Sequence, residues 1–436
     1  MNQRYSSPGR ASLLLSLLLL IPSVASCRSG PDGLTVGQDQ VVQPTGNGPA
    51  TAQAVPGLEV LLRDSVHLLR DRRAGFLTNQ TAVTRQGRSG IDLLHESPDV
   101  QLVALYGPEH GLRGGVEGGV RIENEPDAAT GLPVFSLYGQ VQRPTPEMLR
   151  GVDVLLFDMQ DIGARPYTFV WTMAMAMEAA AAEDIPFIVL DRPNPITGMA
   201  EGPLMQREMR NVGQAITGYF PVPLRHGLTV GEVARYINAE YKIGADLTVI
   251  PVDGWQASTW FDETGLPWVD PSPNIRSLEA ALNYSGLVLF EATNLTVGRG
   301  TDAPFSYVGA PWLDVPRLLE RVSAYDLRGI ELNSVLLTPQ GEGYIPFRDE
   351  EVHAVRLNIT DRNAYQPVWT ALVLLTEIKR LHPQQFEIGN EGFTQMLGSH
   401  WAREAFDRGD SPQSIWERWQ GELREWEQLV EPYRLY

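Results

Sequence analysis

Short apolar runs at residues 74–78, 100–106, 134–137, 152–158 and 185–191 recur through the first half of the chain, each bounded by turn or charged residues. Runs of this length read as strands buried on both faces. Helix-like segments lie between several of them, notably 91–97 and the Ala- and Met-rich stretch 171–183. Strands alternating with helices argue for an α/β domain with a largely parallel sheet, in which the loops after the strands' carboxyl ends build the functional site.

Those carboxyl ends carry the unusual residues. The run VALY leads into Gly107-Pro108-Glu109-His110-Gly111, VDVLLFD leads into Met159-Gln160-Asp161-Ile162-Gly163-Ala164-Arg165-Pro166-Tyr167-Thr168, and PFIVLD leads into Arg192-Pro193-Asn194-Pro195. Carboxylates, arginines and a histidine at equivalent points of consecutive strands argue for one shared cleft. After a helix at 230–241 and a strand at 247–252, a further strand-like run at 286–291 ends in Glu291 and precedes a polar stretch to Asp302. Strand signals at 333–338 and 353–359 and helices at 367–381 and 411–427 complete a smaller α+β unit. A length of 436 residues fits two such domains, 57–280 and 281–436.

The amino terminus reads differently. Residues 1–26 have a basic start (Arg4, Arg10), an apolar run from 13 to 21 and then Val24-Ala25-Ser26-Cys27, which resembles a bacterial lipoprotein signal peptide with its lipobox. The apolar run is shorter than the roughly 20 residues that a spanning helix requires. Cys27 would carry acyl chains, and Arg28 rather than Asp after it favours the outer membrane, at the periplasmic face. Residues 27–56 contain no aromatic residue and are dense in Gly, Pro, Gln and Thr, the composition of a flexible tether.

Composition excludes several function classes. A net charge of −18 leaves no basic surface for nucleic acid, and a single cysteine excludes a disulfide framework and any multi-Cys metal site. Residues 298–303 fit G-x-G-x-x-A, but Pro304 follows at once and no strand-to-helix turn is evident, so no nucleotide is expected. Gly-x-Ser-x-Gly is absent, and Cys27 is committed to lipidation. Carboxylates remain in quantity: Glu109, Asp158, Asp161, Asp191, Glu291 and Asp302 are all eligible for the acid–base work of glycoside cleavage. A hard cation held by Glu109, Asp158 and Asp161 is the alternative chemistry. A non-catalytic glycan-binding lipoprotein is the alternative class. Trp416, Trp419, Leu423, Trp426 and Val430 fall on one helix face and read as core, whereas Trp255, Trp260 and Trp268 sit in a Pro-rich stretch suited to lining a saccharide cleft.

The segments GPEHG (107–111), FDMQDIGARPYT (157–168), DRPNP (191–195), LRHGLT (224–229), PSPNI (271–275) and EATNLTVGRGTDAPF (291–305) together resemble the NamZ-type exo-β-N-acetylmuramidases, once known only as a domain of unknown function. The resemblance runs from about residue 57 to Tyr436. It implies a Rossmann-like domain without a dinucleotide, joined to a smaller domain across a cleft, and removal of N-acetylmuramic acid from non-reducing ends of peptidoglycan-derived saccharides without a cofactor or metal.

On that resemblance Glu109 is the expected general acid, its pKa raised by partial burial and its orientation fixed by His110. The second role stays open between substrate assistance, with Asp158 or Asp161 orienting the acetamido group, and direct attack by Glu291 or an Asp. The muramic carboxylate calls for a guanidinium fork, from Arg165, Arg192 or Arg299. Tyr167, Asn194, His226, Asn294 and Asp302 are further expected sugar contacts.

Overall fold

The computed structural model describes residues 40–41, 53–114, 125–210 and 216–436. The signal segment, Cys27 and most of the expected tether lie outside them.

The larger part is a parallel sheet of β1 (Gln40–Val41), β2 (Arg73–Thr78), β3 (Gln101–Gly107), β4 (Val134–Ser136), β5 (Val154–Asp158), β6 (Phe187–Leu190) and, after a hairpin of β7 (Glu201–Leu204) with β8 (Pro223–Arg225), β9 (Leu247–Ile250). Its order is β1-β9-β6-β5-β2-β3-β4, and every neighbouring pair is parallel. The centre therefore lies at β5, where the chain switches from building one edge to building the other. Gln40–Val41, inside the segment read as a tether, adds the edge strand beside β9.

Side-chain alternation explains the covering layers. Phe76, Val154, Leu156 and Ile188 face one way, into a cluster with Leu58 of α1 (Gly57–Val60) and Ile91 and Leu94 of α2 (Gly90–Glu96). Leu155, Phe157, Phe187 and Val189 face the other way, onto α3 (Phe169–Ala182) and α4 (Val230–Glu240). Helix α4 begins at a capping box in which Thr229 and Glu232 satisfy each other's backbone N–H groups.

The smaller part holds α5 (Leu278–Leu287), a three-stranded antiparallel sheet of β10 (Tyr307–Ala310), β11 (Ile330–Leu337) and β12 (Val352–Ile359) in the order β10-β12-β11, and helices α6 (Val315–Val322), α7 (Pro367–Leu381), α8 (Asn390–Leu397), α9 (His400–Arg408) and α10 (Pro412–Val430). The apolar cluster beneath α3 continues without a break through Leu282 and Leu374 to Trp419 and Trp426. Trp419 and Trp426 are thus interior, as the spacing predicts, while Trp416 lies partly exposed at the edge of the cluster.

A second element also differs from expectation. Residues 286–291 are not a strand: α5 runs into them and continues as a tight turn, Val288–Ala292. A short apolar run does not distinguish a buried strand from a buried helix end. Ser277 decides it by capping Ala280 N–H, and Gly286 lets α5 approach α7 so closely that a Cβ there would lie 2.1 Å from the Pro367 carbonyl oxygen.

Candidate active site

The β3 crest turns sharply. His110 and Gly111 take left-handed φ values of +70° and +81°, and Gly111 N–H closes the turn on the Pro108 carbonyl at 3.1 Å. Glu109 is left half-buried at the carboxyl end of the sheet. Thr168, the N-cap of α3, donates its hydroxyl to Glu109 Oε2 at 3.1 Å. The crests after β3 and β5, which flank β2 in the sheet, are thereby tied at one carboxylate.

Glu109 and His110 line a cavity of about 320 Å³, whose other walls include Tyr138, Tyr167, Thr217, Ser272, Asn274, Tyr284, Glu291, Arg299, Phe305 and Met396. Both parts of the molecule therefore contribute to it. Tyr167, Tyr284 and Phe305 form an aromatic wall, with edge-on ring separations of 6.0 and 4.9 Å. Burial pushes both phenols well above their ordinary range, so they stay neutral. Arg299 Nε donates to Glu291 Oε1 at 2.7 Å, and its guanidinium lies 5.4 Å from the centre of the Phe305 ring. A second cavity, of about 420 Å³, shares Glu109, Asn274, Glu291 and Arg299 with the first.

Glu109, His110, Tyr167, Glu291 and Arg299 are thus brought together, and the other expected contacts are not. Asp158 is wholly buried and takes both a short Arg192 Nε bond and an Arg192 Nη2 bond of 3.0 Å. These two expectations are corrected: neighbouring crests neutralise each other inside the protein. Arg165 is also corrected. It is buried and donates to the backbone carbonyls of Thr217, Gln395 and Met396, fastening α8 to the larger part.

Asp161 accepts from Gly163 N–H at 2.6 Å and from His226 Nε2 at 3.1 Å, while Leu228 N–H donates to His226 Nδ1. This buried pair braces the 159–168 loop behind the cavity. Asn194 holds Leu228 and Ile196, Asn294 holds Gln385 and Glu387, and exposed Asp302 accepts from Tyr307. All of these polar groups serve loop architecture.

Two tryptophan expectations fail in the same way: Trp255 packs on Tyr436, and Trp260 is buried, with its indole N–H on Asn363. Trp268 lines a separate groove with Arg113 and Arg276. The alternative cation site also dissolves, since Asp158 and Asp161 are committed elsewhere and no cluster of three ligating side chains occurs among the described residues.

Sequence reasoning passed over Thr168, Ser272, Asn274 and Phe305 although each lies inside a quoted motif. Tyr284 lies outside every quoted motif, in the middle of α5.

Residues 74–279 match the family description "Exo-beta-N-acetylmuramidase NamZ, N-terminal", and residues 282–436 match its C-terminal counterpart. The chain belongs to the NamZ exo-beta-N-acetylmuramidase family. It is 40% identical over 382 residues to the peptidoglycan beta-N-acetylmuramidase NamZ of Bacillus subtilis (strain 168), covering 87% of this chain and 91% of that one. As a NamZ family member it is a glycosidase. Two crystal structures of DUF1343 family proteins from Bacteroides fragilis share the fold, with TM-scores of 0.81 and 0.71 at 34% and 27% identity, each covering 88% of this chain and 99% of the other.

Proposed function

We propose that the protein is an exo-acting muramidase that releases N-acetylmuramic acid from non-reducing ends of peptidoglycan fragments, with Glu109 as general acid. The observation that carries this reading is the position of Glu109 between two contiguous cavities, the first of them walled by aromatic side chains and by the Arg299 guanidinium. At about 320 Å³ that cavity lies at the small end of the roughly 300–1,000 Å³ typical of ligand sites, which suits one substituted sugar rather than a glycan chain.

Glu109 protonates the departing glycosidic oxygen. The positive charge at the anomeric carbon is met by the substrate's own acetamido oxygen, the substrate-assisted route, and Glu109 then takes a proton from the incoming water. Glu291 is the other carboxylate lining the first cavity among the described residues, and Arg299 engages it. It therefore sets the guanidinium rather than attacks the sugar. Arg299, with five donors in a planar fork, serves both Glu291 and the lactyl carboxylate that distinguishes muramic acid.

The site of action is the cell envelope. Acyl chains on Cys27 hold the enzyme at the periplasmic face of the outer membrane, which Cys27→Ala should reverse by moving the protein to the soluble fraction.

The test is incubation of purified protein with a MurNAc-GlcNAc disaccharide in EDTA, followed by mass spectrometry. Release of muramic acid is expected. Measurable binding without cleavage would make the protein a glycan binder, and cleavage lost only on chelation would restore a metal mechanism.

A further inference from the structure

The loop between β11 and β12 forms the far wall of the second cavity, through Gln340, Tyr344 and Ile345. Its base is closed by Asp349 N–H on the Pro339 carbonyl at 2.9 Å, and Arg348 reaches back to the Gly343 carbonyl. Its near end is seated on the residue after Arg299: Gln340 N–H donates to the Gly300 carbonyl at 2.8 Å. Gly300, at φ +82°, is what permits that approach, because a Cβ there would lie 2.7 Å from the Gln340 carbonyl oxygen and 2.8 Å from Ile345. The loop is thus a compact, self-closed structure docked beside the candidate catalytic wall.

At its tip Tyr344 is 78% exposed, more than any other large hydrophobic side chain among the described residues. An aromatic ring held out into solvent forfeits burial. Here it lies on the wall of a cavity that also contains Glu109, Glu291 and Arg299.

Resting on the muramidase reading, we propose that residues 339–349 build the subsite for the leaving saccharide and that Tyr344 is its stacking platform. Glu109 lines both cavities, so the bond it protonates lies at their junction, with one sugar on either side. The first cavity is walled by the buried rings of Tyr167 and Tyr284 and takes the sugar to be released. The second is faced by an exposed loop and takes the sugar that leads away to the rest of the fragment. A pyranose ring presents a face of axial C–H groups that packs flat on an aromatic ring while its hydroxyls remain in water.

The experiment compares the full-length protein in detergent with Tyr344→Ala and Tyr344→Phe on two substrates. One is the MurNAc-GlcNAc disaccharide. The other is the trifluoroethyl β-glycoside of N-acetylmuramic acid, whose small leaving group has no ring to stack. Tyr344→Ala is expected to raise KM and lower kcat/KM roughly tenfold on the disaccharide, to leave the trifluoroethyl substrate within about twofold, and to be rescued by Tyr344→Phe. No loss on the disaccharide, or equal loss on both substrates, would overturn the subsite. A wild-type protein that cleaves neither substrate would instead overturn the muramidase reading on which it rests.

Discussion

The Thr168 hydroxyl donates to Oε2 of Glu109 across 3.1 Å, joining the turn after β3 to the first residue before α3. This bond holds one oxygen of the carboxyl group, and under the proposed mechanism the other is the one that faces the substrate. Glu109→Gln removes the transferable proton and keeps the shape, so kcat should fall by roughly 10²–10⁴ with KM little changed. Thr168→Val removes only the restraint and should cost about tenfold in kcat. Steady-state kinetics on the disaccharide measures both, and an active Glu109→Gln protein would displace this residue from its role.

Arg299 stands on the cavity wall, and its loss should show in specificity. Hydrogen bonds to charged groups contribute about 1.5–3 kcal/mol, so Arg299→Ala should lower kcat/KM on a muramic substrate by roughly 10- to 100-fold. The same variant should not lose, and can gain, activity on the corresponding N-acetylglucosamine glycoside, which lacks the lactyl carboxylate. Competition between the two substrates reads the ratio directly.

Arg192 should behave in the opposite way. Its removal leaves Asp158, which is wholly buried, without its cation. Loss of one partner of a buried pair costs about 3–5 kcal/mol. Arg192→Ala should therefore lower the denaturation midpoint strongly, while the protein that remains folded keeps a KM close to that of the wild type.

Asp191 supplies a pH signature. Its carboxylate accepts from Thr229, Gly231 and Tyr436, yet burial raises its pKa to about 7. Between the ordinary carboxyl range and that value the folded protein holds a proton that the unfolded chain has released, so stability falls as pH climbs through this window and levels off above it. Denaturant titrations from pH 4 to 8 should show this decline in the wild type and a flatter profile in Asp191→Asn.

The sequence carried the sheet, because its central strands are continuous apolar runs that each stop at a charged or turn residue, and that stop is also where the chain reaches the cleft. It did not separate the polar groups that face the cleft from those that face each other. Arg192 and Arg299 sit in equally polar motifs, and only the adjacency of β5 and β6 brings Asp158 beneath the first of them. Glu291 was found for a mistaken reason, since it ends a helical turn rather than a strand. Tyr284 and Tyr344 gave no local signal: one sits within a helix outside the polar motifs, the other is a loop residue whose meaning depends on where Gly300 lets the loop dock.

The interior that runs from Phe157 through Leu374 to Trp426 is one body of apolar side chains beneath both walls of the cleft. Buried Arg165 bonds across the same junction to the Gln395 and Met396 carbonyls, so the two walls are held to each other from beneath. Calorimetry should accordingly record a single melting transition for the described fold. A chain severed between residues 279 and 282 should yield two aggregating halves, each with its share of oil laid open to water.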